Sequence, residues 1–354
     1  MEGDRVLESL PKVSVIIPVR NCEETIEDLL TSLMNVDYPK DRVEVILVDG
    51  QSTDNTVSIA SKYPIKILQE PGLGPNYARK IGVEASTGEI LAFTDGDCIV
   101  PKHWIKIIVE NLSSPEVGCV GGSVYADKSI RNNIFASYAD KSVMRVMPLA
   151  KKREVLSEPE VFKHLAFCNM AIKREALTKI GGLDTSLKTF EDVDTVQSIC
   201  EAGYKMILDP KMYVWHKHRQ TLRGILKQTH AYGMGGPKFR KKHPKSKIAK
   251  FYRVGLTAFY IFMLILALGL AASLTTGNLT PLLAAFSPFI IGYLAGFAYY
   301  AWKGNGLKAS LLYPMIDALR IFAFCIGDLK ASLREAKKEN TLSSRFPTNS
   351  KAYR

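Results

Sequence analysis

The chain has 354 residues, of which 47% are hydrophobic and 23% are charged, and its formal net charge is +12. This length accommodates one large soluble domain with an appended segment, or two domains. A positive balance can indicate nucleic-acid binding, but here most of it lies in one run that directly precedes a long apolar stretch. Such a run instead indicates the cytoplasmic side of a membrane and contact with anionic headgroups. Its basic residues are Lys238, Arg240, Lys241, Lys242, Lys245, Lys247, Lys250 and Arg253.

The N-terminal segment and the cysteines both favour a cytoplasmic domain. Residues 1–12 are acidic and polar, and they lack the basic-then-apolar layout of a signal peptide. The six cysteines have neither the paired spacing of a zinc site nor that of a disulfide framework. We therefore expect reduced thiols and no bound zinc.

The first half of the chain alternates short β-branched runs with amphipathic stretches. Near-continuous apolar strands that alternate with helices predict an α/β fold, with a mostly parallel sheet covered on both faces. Helices are expected to begin near Glu23 and Thr53, to span Pro75–Ser86, and to begin again at Pro101. The predicted strands are residues 13–19, 43–48, 65–68, 89–94 and 117–124.

The pattern loosens between residues 124 and 163 and then becomes regular again. An apolar run at 167–172 is followed by predicted helices at 174–179 and about 190–202. A strand is expected at 205–208, and a further apolar piece ends at Trp215 and His216.

The C-terminal third is predicted to be embedded in a membrane. From Val254 to Trp302 there is no Asp, Glu, Lys or Arg, which leaves room for spans at 254–274 and 279–302. A third apolar stretch, 311–326, contains Asp317 and Arg320. A full third crossing would place the basic C-terminal tail outside, against the charge bias, so this stretch is either re-entrant or interfacial, or the bias is overridden. We expect three membrane-associated helices and leave the side of the tail open.

These patterns divide the chain into four parts. The expected domains are a catalytic domain at 1–235, a basic juxtamembrane segment at 236–253, membrane helices at 254–330 and a tail at 331–354.

Acidic residues follow two of the predicted strands. In open α/β sheets, ligands bind at the carboxyl ends of the strands, where Asp49, Asp95 and Asp97 lie. Two carboxylates around a small residue suit a hard divalent cation that neutralises a diphosphate leaving group. The motif is short, however, and residues 192–194 repeat it, so a turn or cap beside Pro101 is the alternative. The sequence has no G-x-G-x-x-G after the first strand and no P-loop, which excludes the common dinucleotide and P-loop classes.

Three further groups are candidates for chemistry. Asp49 can accept hydrogen bonds from a ribose or a base, and helix capping there could come from Ser52 or Thr53 instead. At a predicted helix start, Glu191 and Asp192 are either simple dipole-stabilised caps or a general base that faces a cleft. The third group follows the last apolar strand and consists of His216, His218 and Arg219. These side chains could bind metal or pyrophosphate, or they could be surface residues without a role in chemistry.

Taken in order, the motifs resemble those of family 2 glycosyltransferases, which have the GT-A fold. The resemblance covers about residues 12–235. It rests on VIIPVRN at 15–21, VDGQSTDNT at 48–56, Ala-Arg-Lys at 78–80, ASTGEILAFTDGD at 85–97, CNMAIKREAL at 168–177, GGLD at 181–184, and FEDVDTVQSICEAGYK at 190–205 with the following His216.

The resemblance implies residue roles and a reaction. The nucleotide sugar would contact Pro18, Arg20 and Glu23 in the base pocket, Asp49 at the nucleoside, Asp95 at the ribose or sugar, and Arg79 and Arg219 near the phosphates. Mg²⁺ or Mn²⁺ would be bound by Asp97, with Asp95 and His216 as further ligands. Asp192 would be the catalytic base, with Glu191 beside it addressing the acceptor. The reaction would be a single displacement that inverts the anomeric centre.

Departures from the family pattern narrow the expected substrate. Arg20 stands where an aromatic residue is common, so the base would stack on a guanidinium. The Gln-x-x-Arg-Trp signature of processive synthases is missing, which favours transfer of a single sugar. Asp97 is followed by CIVP and not by the Leu-Gln-x-x-Pro of dolichyl-phosphate sugar synthases. This difference disfavours a bare polyprenyl phosphate as the acceptor, without excluding it.

The leading hypothesis is a membrane-bound enzyme at the cytoplasmic face that transfers one sugar from a UDP- or GDP-sugar to a lipid-linked acceptor. The alternatives are a polyprenyl (dolichyl) phosphate glycosyl synthase and a non-catalytic membrane scaffold on a degenerate fold.

Overall fold

A computed structural model describes residues 10–145 and 147–345, with side-chain environments through residue 337. The chain divides into two compact units. The first contains the residues up to Thr221 together with Lys245–Phe251, and the second contains Leu222–Pro244 and the residues from Tyr252 onward. The domain boundary expected at residue 235 falls within a helix of the second unit.

The first unit is an α/β domain, as the alternating pattern predicted. In chain order its elements are β1 (Val13–Val19), α1 (Ile26–Met34), β2 (Val43–Asp49), α2 (Thr56–Ala60), β3 (Lys66–Gln69), α3 (Pro75–Glu84), β4 (Ile90–Thr94), β5 (Cys98–Ile99), α4 (Trp104–Leu112), β6 (Val117–Ala126), α5 (Ile134–Lys141), β7 (Glu154–Leu156), β8 (Asn169–Lys173), α6 (Arg174–Lys179), α7 (Glu191–Glu201) and β9 (Lys205–His216).

The sheet is mixed, so the expectation of a mostly parallel sheet holds for only part of it. The strand order is β3-β2-β1-β4-β8-β6-β9-β5, and β7 pairs with β9. Strands β3, β2, β1 and β4 are parallel, as are β6 and β9. Strand β8 lies antiparallel between β4 and β6, while β5 and β7 run antiparallel to β9. After β4 the chain no longer alternates strictly between strand and helix, so the later strands need not pair in parallel.

Three element boundaries differ from the sequence prediction for local reasons. Pro101 does not open a helix: its carbonyl accepts a hydrogen bond from the Trp104 amide, and α4 begins only at Trp104. The helix expected near Thr53 begins at Thr56, because Asp54 accepts a hydrogen bond from the Thr56 amide. The two pieces expected between residues 205 and 216 form one strand, β9, with an irregularity in its pairing with β6.

The hydrophobic core lies on both faces of the sheet, because alternate residues of a strand point to opposite faces. On one face Val15 and Ile17 pack with the apolar side of α1. On the other face Ile16 packs with Phe93 and residues of α7. Burial of each such side chain contributes about 1.5–3 kcal/mol, which anchors the strands whose carboxyl ends carry the acidic residues.

The second unit is helical and contains α8 (Leu222–Lys242), α9 (Lys247–Thr276), α10 (Thr280–Trp302) and α11 (Gly306–Arg345). Three segments are long and apolar enough to cross a membrane: Lys247–Thr276, Thr280–Trp302 and Gly306–Lys337. The first two contain the predicted spans. The third apolar stretch lies within one continuous helix, where Asp317 and Arg320 are buried.

Candidate active site

The Asp95-Gly96-Asp97 motif lies in the tight connection between β4 and β5. A Cβ atom added to Gly96 would lie 2.9 Å from Val19 Cγ1 and 3.0 Å from Cys22 Sγ, so a side chain here would collide with the end of β1. The Gly96 carbonyl accepts a hydrogen bond from Thr25 Oγ1 at 2.7 Å. The small residue between the two acids therefore allows this turn to pack against the loop that follows β1.

Asp97 and His216 are brought together by the pairing of β5 with β9. Cys98 lies opposite His216 in this antiparallel pair, and the Lys217 amide donates to the Asp97 carbonyl at 3.0 Å. As a result, Asp97 Oδ1 lies 3.4 Å from His216 Nε2. Burial lowers the pKa of His216, although the Asp97 carboxylate opposes this effect. A neutral imidazole is the form that can ligate a metal.

The donor atoms of this pair fit a divalent cation. A carboxylate oxygen and an imidazole nitrogen are ligands that Mn²⁺ accepts, and the carboxylate also suits Mg²⁺. Cys98 Sγ is close to both groups. Burial raises the pKa of Cys98, however, and its thiol points to the Cys168 carbonyl at 3.8 Å, so it does not supply a thiolate. Asp97 and His216 would hold the cation.

A second acidic cluster is organised by Arg79. This residue of α3 is only 4% exposed. Its Nη2 donates to Asp95 Oδ1 at 2.9 Å and its Nη1 donates to Glu191 Oε1 at 3.2 Å, while its guanidinium lies 4.5 Å from the centre of the Phe167 ring. Arg79, expected near the donor phosphates, thus joins the end of β4 to the start of α7. Asp95 belongs to this cluster and also neighbours Asp97 in the chain.

Glu191 and Asp192 begin α7, directly after Phe190, whose φ is +66°. Burial raises the pKa of Glu191 to about 7; the charge of Asp192 adds to this effect, while Arg79 opposes it. Burial also raises the pKa of Asp192, against the opposing influence of His164 and Arg79. A carboxylate with a raised pKa that is ionised near neutral pH can accept a proton as a general base. Simple capping does not account for Glu191, because its carboxylate pairs with Arg79.

The loops after β1 and β2 hold each other in place. Asn21 donates its backbone amide to Ser52 Oγ at 2.9 Å and accepts from the Thr53 amide at 2.8 Å. Ser52 and Thr53 therefore tie the loops together and do not cap α2. Asp49 is buried and accepts from the Ser52 amide at 3.1 and 3.2 Å, which orders its own turn.

Four residues expected to contact the nucleotide differ in their surroundings. Pro18 is buried within β1, whereas Arg20 and Arg219 are exposed to solvent. Glu23 accepts hydrogen bonds from the backbone and side-chain amides of Asn55 at 3.1 and 3.0 Å, so it also links the two loops. The contacts of these residues with a nucleotide, like that of Asp49, remain predictions.

Strained backbone coincides with this region. Among the described residues, those other than glycine with positive φ are Asn21 and Gln51, in the loops after β1 and β2, and Phe190, directly before α7. Such conformations cost about 1–3 kcal/mol each and concentrate at functional sites.

Sequence reasoning did not single out several residues that shape the site. Asn21 could have been suspected, because asparagine tolerates positive φ. His164 lowers the pKa of Asp192, and Asp140 Oδ1 lies 3.2 Å from His218 Nε2. Both residues lie in or beside the weakly patterned region before residue 167, where no local signal marks them.

The N-terminal half of the chain is similar to proteins of a known family. Residues 14–181 match the family model for glycosyl transferase family 2. These residues, just under half of the chain, therefore form a family 2 glycosyltransferase domain. The transferase is 29% identical over 233 residues to glycosyltransferase AglE from Haloferax volcanii, and the alignment covers 64% of this chain and 73% of AglE. It is 26% identical to the pre-mycofactocin glycosyltransferase of Mycobacterium tuberculosis, over 76% of this chain and 56% of that protein. The chain thus spans just over half the length of that second relative.

One further relative and one solved structure are also similar to the chain. The transferase is 25% identical, over 62% of its length and 71% of the relative, to the dolichyl N-acetyl-α-D-glucosaminyl phosphate 3-β-D-2,3-diacetamido-2,3-dideoxy-β-D-glucuronosyltransferase of Methanococcus voltae. The mannosyltransferase PcManGT from Pyrobaculum calidifontis, solved with GDP-Man and Mn²⁺, aligns with a TM-score of 0.60 at 22% identity, covering 91% of this chain and 88% of PcManGT. This structural likeness establishes the GT-A fold.

Proposed function

We propose that the transferase moves a single sugar, with inversion, from a UDP- or GDP-sugar to a lipid-linked acceptor at the cytoplasmic face of a membrane, and that the reaction needs Mg²⁺ or Mn²⁺. The observation that carries this proposal is that Asp97 Oδ1 lies 3.4 Å from His216 Nε2. Asp95, two residues before Asp97, and Glu191 both pair with Arg79. Arg79 thereby connects the turn that carries the candidate cation ligand Asp97 to Glu191, which directly precedes the candidate base Asp192.

Each residue has a distinct task in the proposed reaction. A bound cation would neutralise the charge that develops on the diphosphate as it leaves. Asp97 and His216 would hold that cation, and Asp95 would contact the donor. Asp192 accepts the proton of the acceptor hydroxyl while its oxygen forms a bond to the anomeric carbon and the carbon–oxygen bond to the diphosphate breaks. Arg79 keeps Asp95 and Glu191 in place, because its buried guanidinium pairs with both.

The lipid-linked acceptor is supported by three observations. The chain carries three helices that are long and apolar enough to cross a membrane. A basic run at residues 238–253 leads into the first of them and overlaps its start, which favours a cytoplasmic catalytic unit. A relative is named for a dolichyl-linked sugar phosphate. A catalytic unit anchored in a membrane meets an anchored acceptor at high local concentration.

The test uses the full-length protein in lipid nanodiscs, with labelled UDP- and GDP-sugars, Mn²⁺ and a polyprenyl lipid extract. We expect one donor to label a lipid product, and we expect EDTA and the Asp97→Asn substitution each to abolish labelling. Asp37→Asn is the matched control, since Asp37 is an exposed carboxylate that pairs with Lys106. Mass spectrometry then separates the alternatives: a sugar monophosphate lipid indicates a polyprenyl-phosphate synthase, and an added sugar on a glycolipid supports the proposal. Full labelling by Asp97→Asn would contradict it.

A further inference from the structure

Behind His216 runs a chain of hydrogen bonds that the reaction itself does not use. His216 Nδ1, on the side of the ring away from Asp97, lies 3.0 Å from His218 Nδ1. His218 Nε2 lies 3.2 Å from Asp140 Oδ1. The His218 side chain is 3% exposed, and that of Asp140 is 27% exposed. Four side chains therefore form one line from Asp97 to Asp140.

The backbone fixes the members of this line relative to each other. The His218 amide donates to the His216 carbonyl at 3.0 Å, which holds the two rings in a tight turn at the end of β9. Asp140 accepts from the Ala126 amide with both oxygens, at 3.2 and 3.1 Å. Ala126 is the β6 residue directly paired with His216. Asp140 on α5 is thus anchored to the same rung of the sheet as His216.

The order of the line determines which ring nitrogen of His216 carries hydrogen. A carboxylate only accepts hydrogen bonds, so His218 donates from Nε2 to Asp140 and, in its neutral form, has an acceptor at Nδ1. When His218 is neutral, His216 donates from Nδ1 to it, and His216 Nε2, the nitrogen that faces Asp97, then carries a lone pair. Ligand histidines are commonly oriented in this way by a carboxylate behind them.

We propose that His218 and Asp140 are positioning residues that hold His216 in the metal-binding tautomer and orientation, and so set the affinity of the transferase for its divalent cation. This inference rests on the proposed cation at Asp97 and His216. A purely structural role, in which Asp140 only fastens α5 to β6, would need the Ala126 contact alone. It would not need a second buried histidine between Asp140 and His216.

The substitution Asp140→Asn is the sharpest probe. An asparagine can accept from Ala126 with its oxygen and present its amide hydrogens to His218. His218 would then accept at Nε2 and donate from Nδ1, so His216 would have to accept at Nδ1 and carry its hydrogen on Nε2. His218→Gln keeps one acceptor and one donor and serves as the conservative variant, and His218→Ala removes both. Asp127→Asn is the matched control, since Asp127 is a neighbouring carboxylate whose side chain accepts from Ser129.

The experiment titrates Mn²⁺ into full-length protein with saturating UDP and, in parallel, with saturating GDP, and follows Mn²⁺ by electron paramagnetic resonance. Electron spin echo modulation reports whether a nitrogen is directly bound to Mn²⁺. We expect Asp140→Asn and His218→Ala to bind Mn²⁺ 10–100-fold more weakly, with reduced nitrogen coupling. We expect His218→Gln to lose less, and Asp127→Asn to match the wild type. Thermal unfolding in EDTA measures folding separately.

The outcomes separate this inference from the function on which it rests. If His216→Ala loses the nitrogen coupling while Asp140→Asn and both His218 variants keep wild-type coupling and affinity, the positioning role is wrong and the metal site stands. Losses that only follow reduced stability in EDTA would also overturn it. If the wild type itself binds no Mn²⁺ with either nucleotide, the metal assignment fails, and the positioning role fails with it.

Discussion

Carboxylates that face a basic side chain have different surroundings in the two units of the molecule. In the helical unit, the Asp328 side chain is 3% exposed and receives two hydrogen bonds from Arg240, at 2.5 and 2.9 Å. In the sheet unit, the Asp95 and Asp97 side chains are 31% and 27% exposed, and each faces one basic side chain in the contacts above. The Asp328 carboxylate is therefore shielded from solvent, whereas the carboxylates of Asp95 and Asp97 remain accessible to it.

The difference separates carboxylates that stabilise the fold from those that can bind a ligand. A buried carboxylate such as Asp328, with each oxygen bonded to Arg240, is shielded from ligands, and its removal affects folding. A half-buried carboxylate such as Asp97, after a strand, or Asp192, at a helix start, can accept a cation or a hydroxyl proton. Substitutions of Asp95, Asp97 or Asp192 should therefore reduce chemistry with little loss of stability, and substitutions in the Arg240–Asp328 pair should do the reverse.

The largest effect on chemistry is expected for Asp192→Asn. Loss of a general base lowers the turnover number by about 10²–10⁴-fold. Thermal unfolding should change little, because Asp192 makes its described hydrogen bond only to the Val193 amide. Sugar transfer under saturating donor measures the effect.

The matched control for this change lies at the other end of α7. Glu201→Gln alters a carboxylate that accepts from Gln197 and should leave turnover unchanged. Wild-type turnover by Asp192→Asn would remove Asp192 from the chemistry.

The largest effect on stability is expected for Arg240→Met. It leaves Asp328 buried without its cation, which costs about 3–5 kcal/mol. The double variant Arg240→Met with Asp328→Leu should recover most of this loss, because it removes both charges. Unfolding in detergent measures the stability, and the exposed Lys250→Met is the control. Equal stability of the single variant and the wild type would show that the closed pair does not support the fold.

The pH dependence should respond to Arg79. The base must be ionised, so activity falls as the pH drops through its raised pKa. Arg79 lowers the pKa of both Glu191 and Asp192, and its removal therefore raises them further. In Arg79→Met the acid limb of kcat/KM should move to higher pH, whereas Arg79→Lys, which keeps the charge, should stay near the wild type. An unchanged limb in Arg79→Met would contradict the assigned cluster.

The smallest effect is expected for Lys247→Met. Lys247 pairs with Glu158 and Glu160 at 3.5 and 2.9 Å, but its side chain is 54% exposed. Solvent and salt screen such pairs, so the thermal midpoint should not shift measurably. A clear loss of stability would show that exposed pairs also hold this fold together.

The sequence predicted the α/β class because the early strands are apolar throughout and alternate with helices. It could not predict the position of β8, since antiparallel insertion between β4 and β6 depends on packing between distant segments. The two-residue strand β5 is too short to produce a periodic signal, although its pairing with β9 brings Asp97 to His216.

The sequence located the acidic residues of the candidate site and His216, but it did not show the ion pairs of Arg79 or the contact of Asp140 with His218. Asp95, Asp97 and Glu191 stand at predicted element ends, where strand direction and helix starts are visible in the pattern. That Arg79 bridges Asp95 and Glu191, and that Asp140 reaches His218, depends on contacts between residues far apart in the chain. Such contacts leave no mark on local periodicity.

The central claim is that Asp97 and His216 hold the cation that receives the diphosphate. Calorimetric titration of UDP and GDP into the full-length transferase, with Mn²⁺ or with EDTA, tests it most directly. The account predicts that one nucleotide binds only with Mn²⁺, and that Asp97→Ala and His216→Ala each abolish this Mn²⁺-dependent binding while the protein stays folded. Equally tight binding by the wild type in EDTA, or unchanged Mn²⁺-dependent binding by both variants, would contradict it.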